Sequence, residues 1–175
     1  MGDLLFEMSQ WLYTTPLNEF AQGVSESALS MWILSWFWTI PLMQTVHILS
    51  IAATLAAVLM LNLRVFGMVG HATLGETAER YTKVFWWALL IAVVSGISML
   101  FGDTVRNLLN SIFWIKMVLV VFGILLAIGY ANTLKRHTVA GVDVSAAGAK
   151  VSGIFLIILW CVIILAGRWI AYAPS

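Results

Sequence analysis

Four apolar runs, each long enough to cross a bilayer, limit what this chain can fold into. The hydrocarbon core of a membrane takes about 20 helical residues. The runs cover roughly residues 38–63, 84–101, 112–134 and 151–172. Their connections are short, which makes neighbouring helices antiparallel. The sequence therefore predicts an all-α membrane protein, a bundle of four transmembrane helices. Composition agrees, because 62% of the 175 residues are hydrophobic and 10% are charged. A soluble domain of this size cannot enclose that much apolar surface. A net charge of +1 gives no basis for a nucleic-acid partner. Cys161 is alone, which excludes an internal disulfide and a cysteine metal cluster. Many of the nine tryptophans lie near the ends of the runs, as in an interfacial aromatic belt.

Residues 1–37 read differently from residues 38–175, the transmembrane part. Residues 1–30 carry Asp3, Glu7, Glu19 and Glu26 and no Lys or Arg, unlike the basic start of a secretory leader. Leu4, Phe6, Met8, Trp11 and Leu12 are interleaved with polar groups until Thr15-Pro16 breaks the pattern. Ser25, Glu26 and Ser27 then offer a new helix start. One or two amphipathic helices lying in the membrane interface are expected here. Pro41 is expected in the first turns of the first span.

Orientation follows from the basic residues of short loops, which stay on the cytoplasmic side. Arg64, Arg80 and Lys83 follow the first run, and Lys135, Arg136 and Lys150 follow the third. The opposite side has only Arg106 and Arg168. Both termini are thus expected in the periplasm of a bacterial inner membrane.

The candidate site rests on two ionisable side chains inside the apolar runs, His47 and Lys116. Such groups are costly in lipid and usually mark a function. Gln44, His47, Ser50 and Thr54 are spaced by three and four residues, which predicts a polar stripe facing the bundle interior. An imidazole there is a candidate axial ligand of haem iron. A proton relay, or a structural hydrogen bond to a neighbouring helix, is the alternative. Lys116 falls in the same half of the membrane and is read as a second ligand, a partner of a haem propionate, or a side chain that snorkels to the surface. Gly123, Ala127 and Tyr130 continue its helix face. Arg106 and Arg168 sit at the outer boundary with Trp114 and Trp169, where either arginine can hold a propionate or anchor the interface. Met99 and Met117 are further thioether candidates. On the opposite side, His71 and His137 form a minor candidate pair, and residues near Gly75, Thr77 and Glu79 are expected to start a short helix.

The segments Trp11-Leu12-Tyr13-Thr14-Thr15-Pro16-Leu17, Trp36-Phe37-Trp38-Thr39-Ile40-Pro41, Gln44 with His47, Leu63-Arg64-Val65-Phe66-Gly67 and Phe113-Trp114-Ile115-Lys116 resemble a family of small bacterial membrane proteins of unknown function. A more distant similarity runs to HemJ-class protoporphyrinogen oxidase and to the membrane domain of copper-resistance protein D. There a His in the first helix, an Arg about five turns later and a Lys opening a later helix recur, and His47, Arg64 and Lys116 stand at the matching positions. In the HemJ class the His and Lys are tied to haem and activity. Here Val65-Phe66-Gly67 follows the Arg, and Ala131 follows Tyr130, where that class has histidines. The resemblance implies haem binding and leaves the oxidase activity behind.

The expectation is a haem b protein of electron transfer, with His47 as axial ligand and metal site, Lys116 as second ligand or propionate partner, and Gln44 and Ser50 orienting the site. Arg64, Arg168 and Trp114 complete the candidate residues. Its expected partners are the lipid bilayer, a quinol and a periplasmic redox protein, within a homo-oligomer or a larger complex. A cofactor-free accessory subunit, a HemJ-like oxidase and a copper permease are the alternatives.

Overall fold

The computed structural model describes residues 2–69, 73–139, 147–170 and 172, without the side chains of 2, 137–139 and 147. Every regular element among them is a helix: α1 (Gly2–Tyr13), α2 (Pro16–Ser25), α3 (Ala28–Ser35), α4 (Thr39–Val65), α5 (Leu74–Gly102), α6 (Thr104–Leu108), α7 (Ser111–Val139) and α8 (Ala147–Trp169). Four of them, α4, α5, α7 and α8, are long and apolar enough to cross a membrane. The fold is the predicted one, an all-α chain with four candidate spans.

The ends of these helices follow from local chemistry. Thr14 and Thr15 turn the chain after α1, and Pro16 takes the first position of α2, where its missing N–H costs nothing. Ser27 caps α3, its hydroxyl accepting from the Ser30 N–H at 3.3 Å. Pro41 lies in the first turn of α4 as expected. At the other end of α4, Gly67 has φ +72°, a left-handed conformation that glycine adopts freely. The Met68 N–H bonds the Leu63 carbonyl at 2.9 Å and the Gly67 N–H bonds that of Arg64 at 3.0 Å. That pair of bonds is a Schellman stop. Helix α5 opens on a capping box: the Thr73 N–H donates to Glu76 Oε2 at 3.0 Å, and the Glu76 N–H to Thr73 Oγ1 at 3.3 Å. The short helix expected near Gly75 is therefore the first two turns of α5 itself. Three short helices stand where one or two were expected, and α6 is an addition.

The chain forms two compact units, residues 1–49, 91–118 and 164–175, and residues 50–90 and 119–163. The expected boundary at 37/38 falls in the link between α3 and α4. In the first unit, α1 is tied to the start of α7: Ser9 Oγ donates to Ser111 Oγ at 3.2 Å, and Ser111 Oγ to the Leu5 carbonyl at 3.0 Å. Ser30 likewise bonds the Phe101 carbonyl, joining α3 to the end of α5. In the second unit, Ala57, Val58, Leu61, Phe85, Leu89, Ala127, Leu134, Leu156 and Trp160 build a continuous apolar core.

Candidate functional site

His47 lies in the first unit, half-buried on α4, with Nδ1 3.0 Å from Ser95 Oγ on α5. Ser95 has one hydroxyl proton, and the Ile91 carbonyl takes it at 2.7 Å. With that proton on the Ile91 carbonyl, Ser95 Oγ accepts from an Nδ1–H. Histidines that ligate metals are oriented in the same way, by donating the other ring N–H to the protein. The ring also lies against the α5 backbone, since a Cβ at Gly96 would stand 3.1 Å from His47 Cε1.

Lys116 projects from α7 in the same unit and is half-buried. Its Nζ lies 3.2 Å from where a Cβ would be on Gly167 of α8. No carboxylate among the described residues pairs with it. The two intramembrane ionisable groups are thus in one unit, each seated on a glycine of the next helix.

The other expected members fall elsewhere. Gln44 is exposed, whereas Ser50 and Thr54 are buried. At about 100° per residue, Gln44 and Ser50 lie roughly 120° apart around α4 with His47 between them. The buried face is centred on Ser50 and Thr54; His47 is at its edge and Gln44 is beyond it. The polar stripe is narrower than its spacing suggested. Arg64 is about five turns further along α4 and belongs to the second unit, so it does not join His47. Arg168 is exposed and donates to Tyr172 Oη at 3.1 Å, with its guanidinium 5.4 Å from that ring. Trp114 is exposed, with its indole N–H bonded to the Leu108 carbonyl at 2.8 Å. Arg106 lies 3.8 Å from Asp103. Met99 is half-buried and Met117 exposed. His71 and the side chain of His137 lie outside the described residues. Among those described, no three His, Cys, Asp or Glu side chains converge as metal ligands.

A second polar cluster, in the second unit, escaped sequence reasoning. Asn62 is 1% exposed. Its amide donates to the Val58 carbonyl at 2.8 Å and its carbonyl accepts from Tyr130 Oη at 2.8 Å. A Cβ on Gly153 would collide with both side chains. An Asn one residue from the end of the first apolar run was the available signal. Beside it is a cleft of about 40 Å³ lined by Asn62, Tyr81, Phe85, Trp86 and Tyr130. That volume holds a water but no tetrapyrrole.

Fold and composition define a small multi-pass helical membrane protein. Residues 36–173 match the profile of a family of unknown function, DUF6644, and the chain belongs to that family. No curated protein and no solved structure matches the chain. The similarity to the HemJ class and to copper-resistance protein D has no support beyond the positions of His47, Arg64 and Lys116.

Proposed function

We propose that the protein binds haem b through His47 and carries electrons in a bacterial inner membrane, with both termini in the periplasm. The observation that supports this reading most is the placement of His47, a half-buried imidazole among apolar helices with Nδ1 3.0 Å from Ser95 Oγ. Such an imidazole is the donor an iron porphyrin requires, and the porphyrin supplies the other ligands that the described residues lack. When bound, haem b would supply a one-electron couple. The Ser95 contact at Nδ1 and the close approach of Gly96 orient the ring. Lys116 supplies positive charge in the same unit and suits a propionate or, once neutral, a second ligand site. Apolar surroundings exclude water and leave charge compensation to these few groups. The asymmetry of Lys and Arg between loops supports the orientation. A quinol on one side and a periplasmic redox protein on the other are the proposed donor and acceptor classes.

Titration of detergent-purified apoprotein with haemin tests the reading. The expected result is one haem per chain, with Lys116→Gln weakening binding about tenfold, the scale of supporting interactions at metal sites. A non-saturable absorbance rise, equal in wild type and variant, would overturn it.

One observation favours a second reading. The His47–Ser95 hydrogen bond and the Gly96 contact by themselves join α4 to α5, as polar residues do in membrane helix packing. A cofactor-free accessory subunit needs nothing more. It predicts a colourless protein whose His47→Ala variant unfolds at lower temperature. A HemJ-type oxidase predicts instead that protoporphyrinogen oxidation is lost with His47.

A further inference from the structure

Six of the nine basic side chains belong to the second unit: Arg64, Arg80, Lys83, Lys135, Arg136 and Lys150. They stand on the helix ends whose core residues, Val65, Leu74, Leu134 and Ala149, pack into one cluster. The two described acids at this end are engaged: Glu76 closes the α5 capping box, and Glu79 is 2.8 Å from Lys83.

Arg64 is the unusual member of the group. It is half-buried in the last turn of α4, and its Nε is enclosed with no hydrogen-bond partner among the described residues. Enclosing a donor of a charged group without an acceptor is costly. Nε is the one nitrogen of this guanidinium that is both enclosed and without a partner among the described residues. Two residues on, the Phe66 ring lies 6.0 Å from Lys150 Nζ, which brings the α8 ammonium to the same end of α4. Lys150 too is half-buried and has no carboxylate partner among the described residues. One planar fork and one point charge, both half-buried and without an anion among the described residues, are the elements of a phosphoryl site.

We propose that Arg64 and Lys150 bind a phosphoryl anion at the basic end of the second unit. Phosphate monoanions and the phosphodiester headgroup of an acidic phospholipid share that chemistry. Basic groups between membrane helices on the cytoplasmic side bind such headgroups. The site is independent of the haem reading.

Binding of fluorescently labelled cardiolipin to the full-length protein in neutral detergent is the test, with unlabelled phosphatidylcholine and inorganic phosphate as competitors. Arg64→Gln, Lys150→Gln and the exposed control Lys135→Gln are compared, each after its helical content is checked by circular dichroism. A loss of about tenfold or more in Arg64→Gln and in Lys150→Gln, with Lys135→Gln within twofold of wild type, is expected. Competition by inorganic phosphate at millimolar concentration assigns the site to free phosphate; resistance to it assigns the lipid. Equal losses in all three variants mean diffuse surface charge, and no loss in any means no site. Either result would overturn the proposal.

Discussion

At the residue scale, glycines decide how polar side chains are held between the helices. Gly153 is the strictest case, because any Cβ there meets the buried side chains of Asn62 and Tyr130. Gly153→Ala is expected to cost on the order of 2 kcal/mol or more through overpacking, and thermal unfolding followed by tryptophan fluorescence reads it. Tyr130→Phe leaves the Asn62 carbonyl without its donor; interhelical bonds in membranes contribute about 0.6–2 kcal/mol, so a smaller drop in the same assay is expected. Gly96 and Gly167 form an instructive pair. A methyl at Gly96 presses on a rigid ring 3.1 Å away, while one at Gly167 presses on the far end of a flexible lysine 3.2 Å away. Gly96→Ala should therefore disturb the His47 environment, seen as a shift of its imidazole NMR resonances, and Gly167→Ala should leave them in place.

At the element scale, what was legible in the sequence follows a simple physical line. Long apolar runs give spans, because lipid allows few other solutions. Thr15-Pro16, Ser27 and Pro41 mark real boundaries, because proline and serine act within a single turn. The start of α5 was hidden because its first three turns carry Glu76, Glu79, Arg80 and Lys83, which read as a loop in hydropathy alone. The Thr73–Glu76 capping box was the signal for it. Thr73→Ala is expected to cost about 1 kcal/mol, with faster amide exchange confined to the first turns of α5. The candidate site was legible in part. His47 and Lys116 stand out from any apolar run, but Ser95 looks like packing until α5 is set against α4. Gln44 looked like a member of the stripe because a spacing of three covers 60° of error around a helix. The Asn62–Tyr130–Gly153 cluster joins three helices, and no single segment announces it.

At the scale of the whole molecule, the distribution of charge is the organising feature. Six basic residues fall in one unit, while residues 1–37 hold four acids and no base. With basic loops inside, a C-terminal alkaline phosphatase fusion is expected to be active and a C-terminal green fluorescent protein fusion dark; the reverse pattern would invert the proposed topology. The central proposal is that His47 is the axial ligand of a haem. The most direct measurement is the reduced-minus-oxidised spectrum of the purified protein beside His47→Gly, with and without added imidazole. A Soret band in the wild type, its loss in the variant and its return with imidazole are predicted. A colourless wild type after expression with ample haem, or a Soret band unchanged in His47→Gly, would contradict the proposal.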